Sequence, residues 1–482
     1  MAQSPMSAPP RREVPPILVA LVALLLLRQL AWALWGYFNV DEFENLQVLW
    51  LWERGVLPFR DYLHSHLPIF SFLLKPIYAL VGPSPELPGV VRLVVFPLQL
   101  LLYWELYLLG RLVTGRSLAG VLAVGFALTS PIIGGSLAEV RGDVLVYPMI
   151  LGAVLCLWWL IESGKMRWFY LAGFAVGLSL VFTQKAVLLS LVIALFFERH
   201  LARGMGLSFG RRLGHWIGFS VLALGPYLAA LAAVGMACDM NAANMVALPD
   251  NGIRFVQFTL LTNYRLLLLP TVIIPTLIFV GPAWSAAVRL VRGRVSPFSA
   301  GQNVLRLTAV YTLVAIVQLA LMPVLFMHIF ILPYLFFSML AAWFFVRKSQ
   351  RTMLIVFVIG LALAHAQIWN GELYRTRTLQ QQQMRFLAQV VDAERPILDS
   401  LVGVGSFAPL VGRQLHYRPF FFSGEFYEEE NQRVARALAR KEYGAIVDQY
   451  VMQNYLPESI KRIIEKNYEP APGVGDILVP RR

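Results

Sequence analysis

Two adjacent carboxylates, Asp41 and Glu42, follow the first long apolar segment of the sequence and are the first candidates for chemistry. An acidic side chain can act as a general base when it lies within about 3 Å of the proton of an attacking hydroxyl or amine. A third carboxylate, Asp143, begins a later apolar segment two residues after Arg141. Charges at these positions are costly next to lipid, so we interpret them as lining a watery cleft at a membrane face and expect all three carboxylates to be catalytic.

Cationic and polar side chains lie at the ends of other apolar segments. Lys185 follows Gln184 within an otherwise apolar stretch, and Arg265 precedes another such stretch. Lys and Arg stabilise the charge that develops on a departing phosphate, so Lys185, Arg141 and Arg265 are predicted to bind a donor phosphate. Further residues expected to position substrates are Arg60, Asp61, His64, His66, Gln184 and His328.

Each candidate also has a structural interpretation. Asp41 and Asp143 could cap helix N-termini, and Asp143 could instead pair with Arg141. Lys185 and Arg265 could extend to the membrane interface without binding a ligand. Two histidines in the first loop are separated by one residue but have no third ligand near them in sequence, so no metal site is indicated, although a divalent metal stays possible.

The composition indicates a membrane-embedded helical protein. Of 482 residues, 58% are hydrophobic and 14% are charged, whereas soluble domains carry about 25% charged residues. Apolar segments of roughly 20 residues recur without strand-like alternation, which excludes a membrane β-barrel. The net charge of +13 falls mostly in short loops between these segments, where it reports topology, so nucleic acid is not an expected partner.

Basic residues occupy alternate loops, which places those loops and the N-terminus in the cytoplasm and the candidate site outside.

The apolar segment at residues 69–82 contains Lys75 and Pro76 and covers only roughly 21 Å as a helix, so we expect it to be interfacial or re-entrant. Arg28 lies in the middle of the first span, where a charge costs roughly 2.5–3.5 kcal/mol, and therefore needs a partner. Eleven spans are predicted, near residues 17–38, 88–109, 117–133, 144–161, 168–182, 186–197, 214–235, 266–288, 307–325, 329–346 and 353–369.

The composition becomes polar from Gly371 onward, which predicts a transmembrane catalytic domain at residues 1–370 and a soluble extracytoplasmic domain at 371–482. In the second domain, strand-like runs alternate with helical patterns, which is typical of a small α/β unit. We expect this unit to bind the acceptor or to cap the site. The strand-like runs lie at residues 396–404, 444–447 and 476–479, and the helical patterns at 431–441 and 458–466.

In order and topological position, these residues resemble those of the GT-C glycosyltransferases, membrane enzymes that use polyprenyl-phosphate-linked sugars. The likeness is to the branch that contains the protein O-mannosyltransferases and the lipid A aminoarabinose transferase, and it covers roughly residues 13–200. It rests on Asp41-Glu42, on residues 55–61 followed by His66-Leu67-Pro68, on Arg92-Leu93, on residues 108–111, and on Arg141-Gly142-Asp143.

The resemblance implies a role for each matching residue. Asp41 corresponds to the catalytic base and Glu42 to a supporting or substrate-positioning carboxylate. Asp143 corresponds to the acidic residue of an R-P-D motif, in which Gly142 replaces the proline and leaves the local backbone less fixed. Lys185 would contact the donor phosphate. The family generally inverts the anomeric carbon, which fits one base and one in-line attack.

The sequence therefore predicts an α-helical polytopic membrane protein with a GT-C-like fold in the bacterial inner membrane. Its expected activity is transfer of a hexose or pentose from a polyprenyl-phosphate donor to an extracytoplasmic lipid, polysaccharide or protein, with no cofactor required. Two alternatives stay open, namely a transporter or flippase for a lipid-linked or anionic substrate, and a catalytically inactive GT-C scaffold. Transporters usually show paired repeats with broken helices, which this sequence lacks.

Overall fold

A computed structural model shows a bundle of apolar helices followed by a mixed sheet with flanking helices. A π-helical turn, His200–Gly204, directly extends the helix Val187–Arg199 of the bundle. The residues that the structure describes are 14–58, 67–130, 133, 137–183, 186–238, 284–285, 287–288, 299–321, 331–349, 351–359, 362, 377–390, 395–399, 415–417, 425–447, 457–474 and 477–481.

The bundle contains helices of very different lengths. By length and composition, four of the described helices are able to cross a membrane, namely Pro16–Trp35, Leu87–Thr114, Asp143–Ser163 and Phe209–Cys238. Residues 351–359 are also helical. In chain order the helices are α1 (Pro16–Trp35), α2 (Val40–Glu53), α3 (Ile69–Leu73), α4 (Lys75–Val81), α5 (Leu87–Thr114), α6 (Ser117–Thr129), α7 (Asp143–Ser163), α8 (Arg167–Phe182), α9 (Val187–Arg199), α10 (Phe209–Cys238), α11 (Ala300–Leu321) and α12 (Ile331–Phe345).

Wherever the structure describes a predicted span, that span coincides at least in part with a helix. The span predicted at 266–288 lies outside the described residues apart from 284–285 and 287–288. Large apolar side chains face outward, for example Leu27 on α1 at 61% exposed and Leu195 on α9 at 67% exposed. Outward apolar surface of this kind fits contact with lipid. The protein is therefore an α-helical membrane protein, and the number of spans stays a prediction.

The interfacial segment predicted at 69–82 consists of two short helices, α3 and α4, which meet at Leu74. Pro76 in the first turn of α4 lacks a backbone N–H and cannot continue the hydrogen bonding of a preceding helix. The seven residues of α4 extend roughly 10 Å, far less than the hydrocarbon core. Both helices are thus too short to cross a membrane.

Arg28 in the middle of α1 has the partner that the sequence required. Its Nη2 atom donates to the carbonyl oxygen of Leu128 at 2.7 Å. Leu128 lies in the last turn of α6, where carbonyl groups have no partner within the helix and carry a partial negative charge. A helix C-terminus, and not an acidic side chain, therefore binds this arginine.

The C-terminal part contains a five-stranded sheet of order β2-β1-β3-β5-β4. The first three strands in that order are parallel, and β5 is antiparallel to both of its neighbours. The predicted strands and helices coincide with β1, β3, β5, α14 and α15, whereas the short edge strands β2 and β4 were not predicted. The elements are α13 (Arg377–Val390), β1 (Ile397–Asp399), β2 (Leu415–Tyr417), α14 (Glu425–Ala439), β3 (Ala445–Val447), α15 (Glu458–Asn467), β4 (Tyr468–Pro470) and β5 (Ile477–Pro480).

The two faces of this sheet bury different partners, because side chains alternate along a strand. Leu398 and Ile446 pack with apolar residues of α14 and α15. Ile397 and Val447 belong instead to a cluster that includes residues of α13 and α2 as well as Phe38. One hydrophobic core therefore joins the C-terminal sheet to the α1–α2 connection.

Candidate active site

Residues 36–39 connect α1 to α2 and directly precede the helical turn that contains Asp41 and Glu42. Gly36 ends α1, and its N–H donates to the carbonyl of Trp32 at 2.7 Å. Helix α2 starts at Val40, so Asp41 and Glu42 lie in its first turn, where the helix dipole favours negative charge. Only the backbone of Asp41 is among the described atoms.

Glu42 forms a fully buried two-point ion pair with Arg92 of α5. Arg92 Nε lies 2.7 Å from Oε1, and Nη2 lies 2.5 Å from Oε2. The backbone N–H groups of Asn39 and Val140 also donate to the carboxylate, at 2.8 and 2.9 Å. Four donors therefore occupy its two oxygens and join three segments of the chain at Glu42. The catalytic or supporting role predicted for Glu42 stays a prediction.

Arg92 ties the start of α5 to the end of α1. Its guanidinium donates to the carbonyl oxygens of Gly36 at 2.9 Å and Tyr37 at 2.5 Å. It also lies over the ring of Phe38, with its central carbon 4.7 Å from the ring centroid. This distance permits a cation–π interaction. The α1–α2 connection is thus fixed from the α5 side through both charge and hydrogen bonds.

Glu139, Arg141 and Asp143 form a second group of charges, which we call the α7 cluster. Arg141 Nη1 lies 3.0 Å from Glu139 Oε2, and Nη2 lies 3.7 Å from Asp143 Oδ2. All three residues are buried. Asp143 is in the first turn of α7, where its charge is favoured by the helix dipole. The pairing of Asp143 with Arg141 is therefore observed, and a catalytic role for Asp143 stays a prediction.

Two side-chain contacts join the α1–α2 region to the α7 cluster. Asn39 Nδ2 donates to Glu139 Oε1 at 3.0 Å. Asn45 Nδ2 donates to the carbonyl oxygen of Val140 at 3.2 Å. The first turn of α2 consequently lies against the segment that carries Arg141. The structure thus brings together the two parts of the chain in which the sequence placed catalytic carboxylates.

Gly142 has φ −58° and ψ −30°, a backbone conformation that proline, with φ near −65°, also adopts. A Cβ atom at this position would meet its nearest neighbour, the carbonyl oxygen of Phe182, at 3.4 Å, an ordinary contact. The backbone at position 142 would therefore accept the proline of an R-P-D motif.

A groove of about 300 Å³, which we call the lateral groove, lies between α5, α7 and α8. One end reaches Leu145, two residues after Asp143, and the other reaches Trp159. Apolar side chains form most of its walls. Glu105 is the acidic residue among those walls, and its Oε1 lies 3.3 Å from the position that a Cβ on Gly152 would occupy.

Several predicted site residues fall in parts of the chain that the structure does not describe. Among described residues, no group of three His, Cys, Asp or Glu side chains is close enough to hold a metal ion. That the protein requires no cofactor and has no indicated metal site stays a prediction. The residues outside the described ranges are the phosphate-binding candidates Lys185 and Arg265 and the substrate-positioning candidates Arg60, Asp61, His64, His66, Gln184 and His328.

The sequence assigned no site role to Arg92, Glu139 or Asn39, although Arg92 belongs to a motif on which the family resemblance rests. Arg92 did carry a signal, because an isolated arginine early in an apolar segment needs a partner. Asn39 and Glu139 carried a weaker one, since polar residues at helix ends are common.

The sequence profile of the family described as dolichyl-phosphate-mannose-protein mannosyltransferase matches residues 65–224. No curated protein matches the chain by sequence. ArnT from Cupriavidus metallidurans, solved with bound undecaprenyl phosphate, superimposes with a TM-score of 0.65 at 12% identity, covering 96% of this chain and 97% of that chain.

A second solved structure is similar over nearly the whole chain. It is the archaeal oligosaccharyltransferase AglB from Archaeoglobus fulgidus in complex with an inhibitory peptide and a dolichol-phosphate. Its TM-score is 0.55 at 11% identity, covering 97% of this chain and 74% of that chain. The chain therefore has the fold of the GT-C membrane glycosyltransferases, and the resemblance predicted from its sequence is confirmed.

Proposed function

We propose that the protein is a membrane glycosyltransferase that moves a hexose or pentose from a polyprenyl-phosphate donor to an acceptor outside the cytoplasm. The observation that carries the proposal is the hydrogen bond between Asn39 and Glu139, which holds the turn bearing Asp41 beside the α7 cluster. The GT-C fold supports it, since ArnT and AglB with that fold were solved with undecaprenyl phosphate and a dolichol-phosphate.

The proposed reaction is one in-line displacement. The Asp41 carboxylate accepts the proton of the acceptor hydroxyl or amine while the acceptor atom attacks the anomeric carbon. The bond from that carbon to the phosphate oxygen breaks, and its electron pair leaves with the polyprenyl phosphate, so the anomeric configuration inverts. Because phosphate is a good leaving group, one base suffices, and such a base contributes about 10²–10⁴-fold to the rate.

The remaining charges have supporting roles in this proposal. Glu42 holds the Asp41 turn through Arg92, and Asp143 orients Arg141. Arg141 Nη2 and Asp143 Oδ2 are 3.7 Å apart, longer than a close ion pair. In the proposal a donor phosphate displaces Asp143 and accepts hydrogen bonds from that side of the guanidinium group. Lys185 and Arg265 are proposed as further phosphate ligands. Residues proposed to position substrates are Arg60, Asp61, His64, His66, Gln184 and His328.

The prenyl chain of the donor would lie in the lateral groove. From Leu145 to Trp159 the groove follows α7 for roughly 21 Å, and its walls suit a hydrocarbon chain. Leu145 at one end is two residues after Asp143 in α7, and we place the phosphate of a lipid in the groove at that end, towards the α7 cluster. The groove thus supports a lipid-linked donor over a water-soluble one.

The proposed topology has eleven spans, a cytoplasmic N-terminus and an extracytoplasmic C-terminal domain at residues 371–482, in a bacterial inner membrane. Cys156 and Cys238 are both buried, so cysteines introduced at exposed sites can be labelled selectively. A membrane-impermeant maleimide should label Arg440→Cys in intact cells and Lys165→Cys only after lysis. Labelling with the opposite pattern would contradict this orientation.

Transfer from a panel of labelled polyprenyl-phosphate sugars by protein purified in lipid tests the proposed activity. Asp41→Asn should lower transfer by about 10²–10⁴-fold while donor binding persists. The matched control is Glu53→Gln, because Glu53 is an exposed carboxylate at the far end of α2, roughly 18 Å along the helix. A native protein that neither binds nor consumes any donor would favour the transporter or scaffold alternative.

A further inference from the structure

Gln380 in the first turn of α13 forms a reciprocal pair of hydrogen bonds with the backbone of Phe38. Its Oε1 accepts the Phe38 N–H at 2.8 Å, and its Nε2 donates to the Phe38 carbonyl oxygen at 2.9 Å. The two residues are 342 positions apart in the chain and both are buried. One side-chain amide therefore satisfies both polar backbone groups of a single residue, as a paired strand would do.

Apolar packing surrounds this pair. Helix α13 buries Gln380, Gln383, Met384 and Leu387, which lie at the i, i+3, i+4 and i+7 positions of one helical face. Met384 and Leu387 pack in the same cluster as Phe38. Water is thus excluded from the amide pair, and a buried backbone group that loses its partner costs more than an exposed one.

Three different parts of the chain hold the four residues of the connection 36–39. Arg92 holds the carbonyl groups of Gly36 and Tyr37 from α5. Glu139 holds the side chain of Asn39. Gln380 of the C-terminal segment binds the backbone of Phe38, which lies between Tyr37 and Asn39 and three residues before Asp41.

We infer that Gln380 is a positioning residue of the active site: through the backbone of Phe38 it fixes the turn that carries Asp41. The segment after the last apolar helix thereby affects catalysis without touching substrate. The catalytic consequence rests on the proposed function, whereas the anchoring of the turn rests on the contact alone. Two measurements keep these parts distinguishable.

Two substitutions separate the hydrogen bonds from the packing. Gln380→Met keeps an unbranched side chain of similar length and removes both bonds. Gln380→Glu keeps an acceptor for the Phe38 N–H, but it can donate to the Phe38 carbonyl oxygen only while its carboxyl group is protonated. Among the described residues, Arg92 lies over the ring of Phe38 and is paired with the opposite charge of Glu42. The matched controls are Gln382→Met and Gln382→Glu, because Gln382 is exposed on the other face of α13.

The first measurement is turnover with a labelled polyprenyl-phosphate sugar in lipid nanodiscs. Gln380→Met should lower kcat about 10–100-fold, the size of effect that a misplacement of roughly 1 Å produces, with KM for the donor within about two-fold. Binding of undecaprenyl phosphate should be unchanged. The activity of Gln380→Glu relative to wild type should fall as the pH rises, whereas the relative activity of Gln380→Met should stay constant. A general loss of structure would not produce this difference.

The second measurement is amide hydrogen exchange of the peptide that covers residues 36–46, which does not require turnover. Exchange should be faster in Gln380→Met than in Gln382→Met. The inference is overturned if this peptide exchanges equally fast in Gln380→Met and Gln382→Met. It is also overturned if the wild type is active and Gln380→Met has the same kcat. If the wild type turns over no donor while exchange still rises, the proposed function and the catalytic consequence fail together, and the anchoring stands. Should Gln380→Met not fold, the pH series on Gln380→Glu decides the matter.

Discussion

Glu42 and Arg92 pair in a two-point contact between α2 and α5, and both side chains are 0% exposed. Removing two charges from water costs several kcal/mol, and their attraction offsets this only when the remaining polar atoms are also satisfied. That condition holds here, because backbone N–H groups complete the carboxylate and backbone carbonyls complete the guanidinium. The pair therefore fixes the α1–α2 connection in one arrangement.

Breaking this pair should destabilise the protein strongly. Arg92→Met leaves the Glu42 carboxylate buried without its counter-charge, so we expect the free energy of unfolding to fall by about 3–5 kcal/mol. SDS titration of the protein in mixed micelles measures it. The double variant Glu42→Leu, Arg92→Met should lose less than the sum of the single variants, since it leaves no unpaired charge. The control is Glu458→Gln in an exposed pair with Lys461, which should cause no measurable change. If the double variant loses as much free energy of unfolding as the two single variants together, Glu42 and Arg92 are not coupled.

Gly142 should accept proline. Its φ of −58° fits the proline ring, and proline restricts the unfolded chain more than glycine does. Gly142→Pro is therefore expected to raise the free energy of unfolding by about 0.4–1 kcal/mol and to preserve transfer activity. Thermal unfolding and the transfer assay check the two parts, with Gly142→Ala as the intermediate case. A marked loss of stability in the proline variant would show that the glycine has a role its backbone angles do not reveal.

Filling the lateral groove should impair long lipid donors selectively. Gly152→Leu places a side chain against Glu105 inside the groove. We expect KM to rise about 10-fold or more for a donor with a long prenyl chain and to change little for a short-chain analogue. Gly225→Leu is the matched control, because a Cβ at Gly225 in α10 meets no atom within 4 Å. Equal effects on both donors would place the prenyl chain elsewhere.

Alkaline pH should weaken the C-terminal sheet through Tyr468. Burial raises the pKa of this phenol to about 12, above its ordinary value of 10. Below pH 10 both folded and unfolded states keep the proton, so the contribution is fully present. Between pH 10 and 12 the unfolded state ionises first, so the free energy of unfolding falls. Tyr468→Phe should reduce this slope, as measured by unfolding at several pH values together with tyrosinate absorbance. An unchanged slope would mean that other groups dominate.

Helix and strand positions followed closely from sequence because they depend on local patterns. The strands β1, β3 and β5 contain apolar residues bounded by polar ones, and α15 has a strongly one-sided apolar pattern. In contrast, β2 and β4 are three-residue edge strands, and β4 contains Glu469 and Pro470, which give no strand signal. Their pairing is decided by the rest of the sheet.

The charged residues of the site could be predicted from the sequence, whereas the contacts between residues distant in the chain could not. Asp143 beside Arg141 could be predicted to pair, because two residues of separation bring them close at a helix start. The partners Glu42 and Arg92 are 50 residues apart, and Gln380 binds backbone atoms of a residue 342 positions away. No side-chain pattern marks a backbone partner. Within four consecutive glutamines, sequence alone does not distinguish the buried Gln380 from the exposed Gln382.

The contact between Arg28 and the carbonyl of Leu128 has a consequence for biosynthesis. The two residues are 100 positions apart, so the ribosome adds roughly 5–20 seconds of further chain before the partner exists. During that interval the newly made first helix carries a charge without its later hydrogen-bond acceptor. The first helix meets this requirement when it stays beside the insertion machinery until α6, which supplies Leu128, has also emerged. The early membrane assembly of this chain is then an ordered process.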